Sequence, residues 1–549
     1  MEVGKKIKNF GTLLLIIIVG FYAARTLIGR GFVPTHDAEY HIIRLWQFDK
    51  VIQTGEFIPR WAPDLDFGYG VPLFSFFYPL PNYIGELFHS AGFSFIRSVH
   101  LTLAGALVVS GVAMYLWCRR FFGTWSSLSG AVMYMLGPYA LLDVLVRGSV
   151  GEAWALALTP LFLWAVTGLA YSRKKNRSLW LGTGATALGL LLLSHNLLGP
   201  TFAVLSAGYS ILLYAEGVYG KKPERSQTAF ALLGCYGLGV ALASFFWLPV
   251  MAESSYITGL FSVSVLDHFP ALYQLVFPSW GTGLSVPGIS DQMSFQIGIP
   301  HLFALISAGI IAVIKRSWFV LWIIFLVLVT CAFMLEFSAP VWEAITPLQL
   351  FQFPWRLLSV VLLAVSFCAA YVADRKPLIF APAFIIGAFV FYGPYTSAVV
   401  YEPREDSRYL ESSSWINGTA TLGNSFHTKW YTNRPERIFS RFEIEQGEGK
   451  LYLKESKPTR YRIEAEASTP LSVLARISYF PGWTFLEDGK AMPFDADEQG
   501  IHVSVPRGNH SIMVVFDDTL IRRIGEMLSL TAVIVIGRLF FRHYDYSNP

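Results

Sequence analysis

Nine residues, His36-Asp37-Ala38-Glu39-Tyr40-His41-Ile42-Ile43-Arg44, hold two carboxylates, two imidazoles and a guanidinium. If they are helical, Asp37, His41 and Arg44 stand at i, i+4 and i+7 on one face. A carboxylate there serves as a general base or a metal ligand. The imidazole takes either role or orients the carboxylate, and the arginine holds a phosphate. His36, Asp37 and His41 also have the look of a zinc set, although no second cluster of cysteine or histidine accompanies them. A solvated loop marking a membrane surface would have the same composition, so the weight of the reading falls on the rest of the chain.

Four further ionisable residues interrupt apolar stretches. They are Arg147 and Glu152 in Arg147-Gly148-Ser149-Val150-Gly151-Glu152, His195 in Ser194-His195-Asn196, and Arg356 in Gln349-Leu350-Phe351-Gln352-Phe353-Pro354-Trp355-Arg356. Singly, each has a local explanation: Arg147 pairs with Glu152, and Arg356 snorkels. Ionisable residues at membrane depth are costly and face a cavity or a partner. Together they predict one polar cavity, open outward and roofed by loops. Its expected substrate-binding residues are His36, Glu39, Arg44, Arg147, Glu152, His195, Asn196, Gln352 and Arg356, with Asp37 and His41 catalytic. Asp64-Leu65-Asp66 lies in the same loop as Asp37. On a strand the two carboxylates share a face and hold a divalent cation such as Mg or Mn. No phosphate-cradling glycine loop, GxSxG or kinase signature is present.

The elements that must position these residues are membrane spans. Of 549 residues, 54% are hydrophobic and 15% charged, which is membrane-protein composition. Apolar runs of crossing length recur at 10–28, 98–117, 124–144, 153–171, 179–197, 200–216, 228–250, 296–314, 317–336, 355–373, 377–396 and 523–541. Threading these twelve spans puts Lys5/Lys6/Lys8, Arg119/Arg120, Arg173 to Arg177, Lys221/Lys222/Arg225, Lys315/Arg316, Arg375/Lys376 and Arg538/Arg542 on one side. Basic short loops mark the cytoplasm. The expected location is therefore the cytoplasmic membrane, multi-pass, with both termini inside and the polar residues facing out. The first run lacks a small-residue cleavage site and reads as a retained signal anchor. Cys118, Cys235, Cys331 and Cys368 read as packed thiols.

This threading makes three domains: 1–396, transmembrane, with external loop 29–97; 397–522, external; and 523–549, the last span and a cytoplasmic tail. Alternation at Tyr461-Arg462-Ile463-Glu464-Ala465-Glu466-Ala467, with turns at Asp488-Gly489 and Arg507-Gly508-Asn509, predicts an antiparallel β-sandwich in 397–522. Asn417-Gly418-Thr419 and Asn509-His510-Ser511 match the N-glycosylation pattern.

Thr35-His36-Asp37-Ala38-Glu39-Tyr40-His41, Val146-Arg147-Gly148 with Glu152, Leu193-Ser194-His195-Asn196 and Gln352-Phe353-Pro354-Trp355-Arg356 resemble polytopic prokaryotic membrane proteins labelled pyruvoyl-tetrahydropterin synthase-related. The histidine zinc triad of the soluble pterin synthases has no counterpart here. Tyr479-Phe480-Pro481-Gly482-Trp483 is similar to the external β domain of large membrane proteins suspected to be glycosyltransferases. The layout looks like the GT-C superfamily of glycosyltransferases. That resemblance implies an enzyme that takes sugar from a polyprenyl-phosphate carrier and passes it to a hydroxyl on an external glycan, lipid or protein. By it, Asp37 is the catalytic carboxylate, and DxD members of the superfamily imply Asp64 and Asp66 as metal ligands. Membrane lipids are implied as partners, and nucleic acid is not. Two rivals stand beside this reading. One is a lipid-linked-glycan transporter or scaffold without chemistry. The other is a carbohydrate-binding β domain that stacks sugar on Tyr479, Trp483 and Phe485.

Overall fold

The computed structural model describes residues 2–29, 31–219, 225–259, 264–397, 400–411, 418, 420–421, 425–430 and 440–547. The twelve apolar stretches all fall largely within helices. Phe95–Cys118, Val150–Ala170, Leu198–Ala215, Pro354–Ala373, Pro377–Thr396 and Leu520–His543 are each long and apolar enough to cross a membrane. Three more stretches qualify as bent pairs: Thr124–Leu136 with Pro138–Arg147 (43°), Ser226–Leu242 with Ser244–Tyr256 (68°) and Trp318–Phe333 with Glu336–Ala344 (85°). Phe10–Ala23 and Ile299–Lys315 are apolar but shorter, and Arg177–Ser194 completes the twelve. The first bend has a covalent cause. Pro138 disfavours helical backbone at the residue before it, and Gly137 is extended there, with ψ 143°.

Two helices form the middle of the bundle. In the most apolar eighteen residues of Pro354–Ala373 and of Val150–Ala170, 94% and 83% are buried, against 22% in those of Leu520–His543. The central pair carries Arg356 and Glu152 at its ends, so those side chains open into packed protein rather than lipid.

Among the described residues nine antiparallel strands lie between the helix Pro377–Tyr392 and the last helix. One sheet has the order β1 (Phe442–Gln446), β4 (Leu471–Ala475), β8 (Gly500–Val505), β7 (Phe494–Asp497). The other has the order β2 (Gly449–Lys457), β3 (Arg460–Ala467), β9 (Gly508–Phe516), β5 (Trp483–Glu487), β6 (Lys490–Ala491). Along β3, Tyr461, Ile463, Ala465 and Ala467 are buried and their neighbours exposed, as a half-buried strand requires. Ring contacts Phe442–Tyr461 and Phe485–Phe494 join the two sheets across a shared core. Trp483 and Phe485 are buried in that core, so they are not sugar platforms. Of the two glycosylation matches, Asn509 lies on β9, while Asn417 and Thr419 lie outside the described residues.

The run Pro59 to Gly70 joins the domains. Trp61 packs edge-on to Trp483 and against Phe516 of the β domain. Arg60 reaches the other way, to Glu526 of the last helix at 3.0 Å and to the Phe245 carbonyl at 3.0 Å.

Candidate functional site

Between Leu142 and Arg147 the chain forms a π-helical turn, a wider turn common at functional sites. It brings Asp143 against Arg147, whose Nη1 donates to Asp143 Oδ1 at 2.6 Å. Glu152 follows in the first turn of Val150–Ala170, where the helix dipole favours a carboxylate. Arg147 Nη2 donates to Glu152 Oε1 at 2.7 Å, and Arg356 Nε lies 2.9 Å from the same oxygen. Tyr139 donates its hydroxyl to Glu152 Oε2 at 2.9 Å. His195 Nδ1 accepts from the Leu197 and Leu198 N–H groups. The ring proton therefore sits on Nε2, 4.0 Å from Glu152 Oε1. Asp143 and Glu152 are fully buried, and two acids face two arginines, so the cluster is charge-balanced. The expected open cavity is instead a packed ion network. Charges this deep hold only when paired and hydrogen-bonded.

The opening motif docks on this network through its backbone. His36 N–H donates to Val146 O at 3.0 Å and Asp37 N–H to Arg147 O at 2.9 Å. Gly148 makes the approach possible. Its φ is +68°, and a Cβ there would meet Thr35 Oγ1 at 2.0 Å, a position that excludes other residues. Asp37 precedes the helix Ala38–Ile52 as its cap. Its half-buried carboxylate makes no hydrogen bond among the described residues. Arg44, Tyr78 and Asp143 lie within its electrostatic reach.

His41 and Arg44 depart from expectation. His41 does not orient Asp37: its Nδ1 faces Arg44 Nη1 at 3.5 Å. Burial first, and Arg44 second, hold its pKa well below the usual histidine range, so the ring stays neutral. Arg44 Nε and Nη2 both donate to the Ala420 carbonyl, at 2.9 and 2.5 Å, and the guanidinium lies over Phe77 at 4.1 Å. It braces the loop. Glu39 is likewise tied outward, to Arg404 and to the Tyr409 hydroxyl. Asn196 donates to the Phe76 carbonyl at 2.6 Å. Gln352 Oε1 accepts from Arg356 Nη1 at 3.0 Å, and His36 Nε2 lies 3.0 Å from the Thr282 carbonyl.

The Asp64/Asp66 pair does not fit a metal site. The segment is a turn, not a strand, with Asp66 and Phe67 at φ +55° and +56°. Asp64 accepts from Lys50 and Gln47, while buried Asp66 faces His427 Nε2 at 3.0 Å. Each carboxylate already faces a separate group, Asp64 an ammonium and an amide, Asp66 an imidazole. Nor do His36, Asp37 and His41 converge as a zinc set, since the two imidazoles face Thr282 and Arg44. Among the described residues the three-donor cluster is Glu487, Asp488 and His510, in the β domain.

Three participants escaped the sequence reading. Asp143 lies inside an apolar run and was absorbed into a span; its i, i+4 spacing to Arg147 was the available signal. Tyr139 carried no signal. Tyr78, the last of the aromatics in Phe74-Ser75-Phe76-Phe77-Tyr78, stacks on His195 with centroids 5.1 Å apart. Gly151 seats it, because a Cβ there would lie 2.4 Å from the Tyr78 ring. Burial pushes the Tyr78 phenol above its usual range although Arg44 opposes this, so it keeps its proton.

A family model described as 6-pyruvoyl-tetrahydropterin synthase related domain, membrane protein, matches residues 74–391. The chain belongs to this family. The matched segment of this pterin synthase-related membrane protein holds the whole Asp143–Arg147–Glu152–His195–Arg356 network. Among solved structures, it is similar to the arabinofuranosyltransferase AftD from mycobacteria, with 18% identity and a TM-score of 0.43, over 70% of this chain and 26% of that one. It is also similar to the oligosaccharyltransferase of Archaeoglobus fulgidus, with 13% identity and a TM-score of 0.40, over 78% and 61%. The family member thus spans about a quarter of the AftD chain. No curated protein sequence matches it.

Proposed function

We propose that this multi-pass membrane protein is a glycosyltransferase. It moves a sugar from a polyprenyl-phosphate carrier to an extracytoplasmic acceptor hydroxyl, with inversion at C1. The observation that carries the proposal is Asp37. Asp143 and Glu152 are both engaged by arginine, while the Asp37 carboxylate stands at the exposed edge of the same network without a hydrogen-bond partner among the described residues. A carboxylate left unpaired beside fixed cations suits a general base. In the reaction the acceptor oxygen bonds to C1, its proton passes to Asp37, and the C1–O bond to the carrier phosphate breaks. The leaving phosphate takes the electron pair and needs a cation. Arg356 suits that role. Its Nη1 is bound to the Phe351 carbonyl and to Gln352, and its Nε faces Glu152. Its Nη2 makes no hydrogen bond among the described residues. Arg147, gripped by two acids, orients rather than binds. Among the described residues no second carboxylate is placed as a nucleophile, which supports inversion.

Asp37→Asn tests the reading. It keeps the shape and removes the basicity, so turnover falls on the order of a hundredfold or more while the melting temperature holds. Wild-type turnover in a stable variant would dismiss Asp37 as the base. Absent transfer by the wild-type protein from any polyprenyl-phosphate sugar would favour transport. The proposed orientation, with the network and the β domain outside, is checked by a cysteine at Lys490, which should react with an impermeant maleimide on intact cells.

A further inference from the structure

A groove runs along the loop between residues 273 and 294, with a volume of about 850 Å³ counting its open mouth. Its walls include Tyr273, Gln274, Phe277, Trp280, Asp291 and Gln292. We infer that this groove is the acceptor subsite and that it takes a neutral oligosaccharide. The inference rests on the glycosyl-transfer reading and narrows its acceptor from glycan, lipid or protein to glycan.

The chemistry of the walls makes the case. Sugar rings offer apolar C–H faces and a rim of hydroxyls that both donate and accept. They suit flat aromatic faces set beside amides and carboxylates. Here Trp280 is pinned: it stacks on Tyr395 with centroids 4.1 Å apart and planes 4° from parallel. Tyr395 in turn accepts from the buried Gln296 at 3.3 Å, and Gln296 also holds the Ser279 carbonyl. Trp280 is therefore a preset platform whose ordering cost is met before any ligand arrives. Tyr273 and Phe277 are 49% and 65% exposed, aromatic area that a water-facing loop leaves open without a structural reason.

The polar wall is also fixed. Asp291 accepts from the Ser285 hydroxyl at 2.9 Å and the Val286 N–H at 3.1 Å on one oxygen, and from Gln274 Nε2 at 3.2 Å on the other. The exposed Gln292 side chain makes no hydrogen bond among the described residues, so its amide can both donate and accept. The charged side chain in the wall is an acid, and no lysine or arginine lines the groove. That disfavours a phosphate or other anionic ligand. A lipid chain would strip water from the Asp291 carboxylate and leave the Gln292 amide without a partner.

The segment that forms the groove also touches the residue before the proposed base. Two residues past Trp280, the Thr282 carbonyl meets His36 Nε2 at 3.0 Å, and His36 adjoins Asp37. Three residues further, Ser285 accepts from Trp355 Nε1 at 3.2 Å, and the Trp355 ring underlies Arg147 at 4.8 Å. A saccharide in the groove would lie on the segment that holds His36 and Trp355.

Binding to full-length protein in lipid nanodiscs tests this, with maltopentaose, mannopentaose, xylopentaose and chitopentaose as probes and saturation-transfer NMR as the readout. The wild-type protein is expected to bind at least one pentasaccharide. Tyr273→Ala and Gln292→Ala, both on the surface, should each weaken binding about tenfold or more. Asp37→Asn should bind as wild type. No binding by any probe, or binding that both surface variants leave unchanged, overturns the groove, and it does so even if transfer to another acceptor is observed. Binding with the expected losses, but with no transfer from any donor, keeps the groove and overturns the enzyme reading.

Discussion

Glu152→Gln is the sharpest test of the charge count in the buried network. Glutamine keeps the volume. Its oxygen can still face Arg147 and Arg356, and its amide nitrogen can face the Tyr139 hydroxyl, so the contacts at 2.7, 2.9 and 2.9 Å survive in outline. The negative charge does not survive. Two arginines then share Asp143 alone, and one buried positive charge is uncompensated. Leaving a buried ion without its partner costs about 3–5 kcal/mol, against a total stability of about 5–15 kcal/mol for an ordinary domain. Asp143→Asn is the comparator. It removes the same unit of charge and leaves both arginines on Glu152 alone, with the 2.6 Å ion pair to Arg147 lost as well, so a cost of the same order, about 3–5 kcal/mol, is expected. A third variant fixes the cause. Glu152→Gln combined with Arg356→Met restores charge balance, so it should melt above Glu152→Gln alone, a non-additive result. Thermal unfolding of the three purified proteins in one detergent measures all of this. A Glu152→Gln melting temperature equal to wild type, or a double variant less stable than the single one, would refute the account of a closed, balanced cluster.

Two further outcomes are expected. Gly148→Ala forces a Cβ to within 2.0 Å of Thr35 Oγ1 at a φ of +68°. It should lose most turnover for a stability cost of about 1–3 kcal/mol, measured on one preparation; unchanged turnover would show that the Thr35–Asp37 backbone needs no such fit. In the β domain, burial opposes protonation of His502, but hydrogen bonds to Asp497 and Glu445 prevail and raise its pKa. The folded protein therefore binds this proton more tightly than the unfolded chain. Its contribution is present below pH about 6.5 and is lost as the pH rises through the folded value. The melting temperature should fall across neutral pH, with a gentler slope in His502→Gln; identical slopes would exclude His502 as the source.

The sequence disclosed what depends on short spacing. Arg147 and Glu152 are five residues apart and do pair; the alternation of Tyr461 to Ala467 does form a strand with one buried face. It concealed what depends on distant partners. Asp64 and Asp66 look like a pair of ligands because Lys50, Gln47 and His427 cannot be placed from spacing. Arg44 looks like a phosphate clamp because nothing in its neighbourhood announces the Ala420 carbonyl. Asp143 was hidden by its surroundings, since an acid inside an apolar run disturbs the hydropathy of a span too little to stand out. Asp37 followed the helical spacing only in part. It stands at the helix N-cap without a side-chain cap hydrogen bond, and its carboxylate lies within electrostatic reach of Arg44 while His41 faces Arg44 instead of Asp37.

The loop that carries Asp37 is fastened by residues made much later. Phe32 bridges Glu402, Glu39 meets Arg404, and Arg44 holds the Ala420 carbonyl, 376 positions along the chain. A nascent chain emerges in order, and such distant contacts form only when both ends exist. For most of synthesis the first loop lacks its anchors, even after every helix lining the buried network has been inserted. Completion of the segment near residue 420 is thus the event that matures the site. A chain stalled before it would hold the Arg147–Glu152 pair but not the contacts that fix the Asp37 loop.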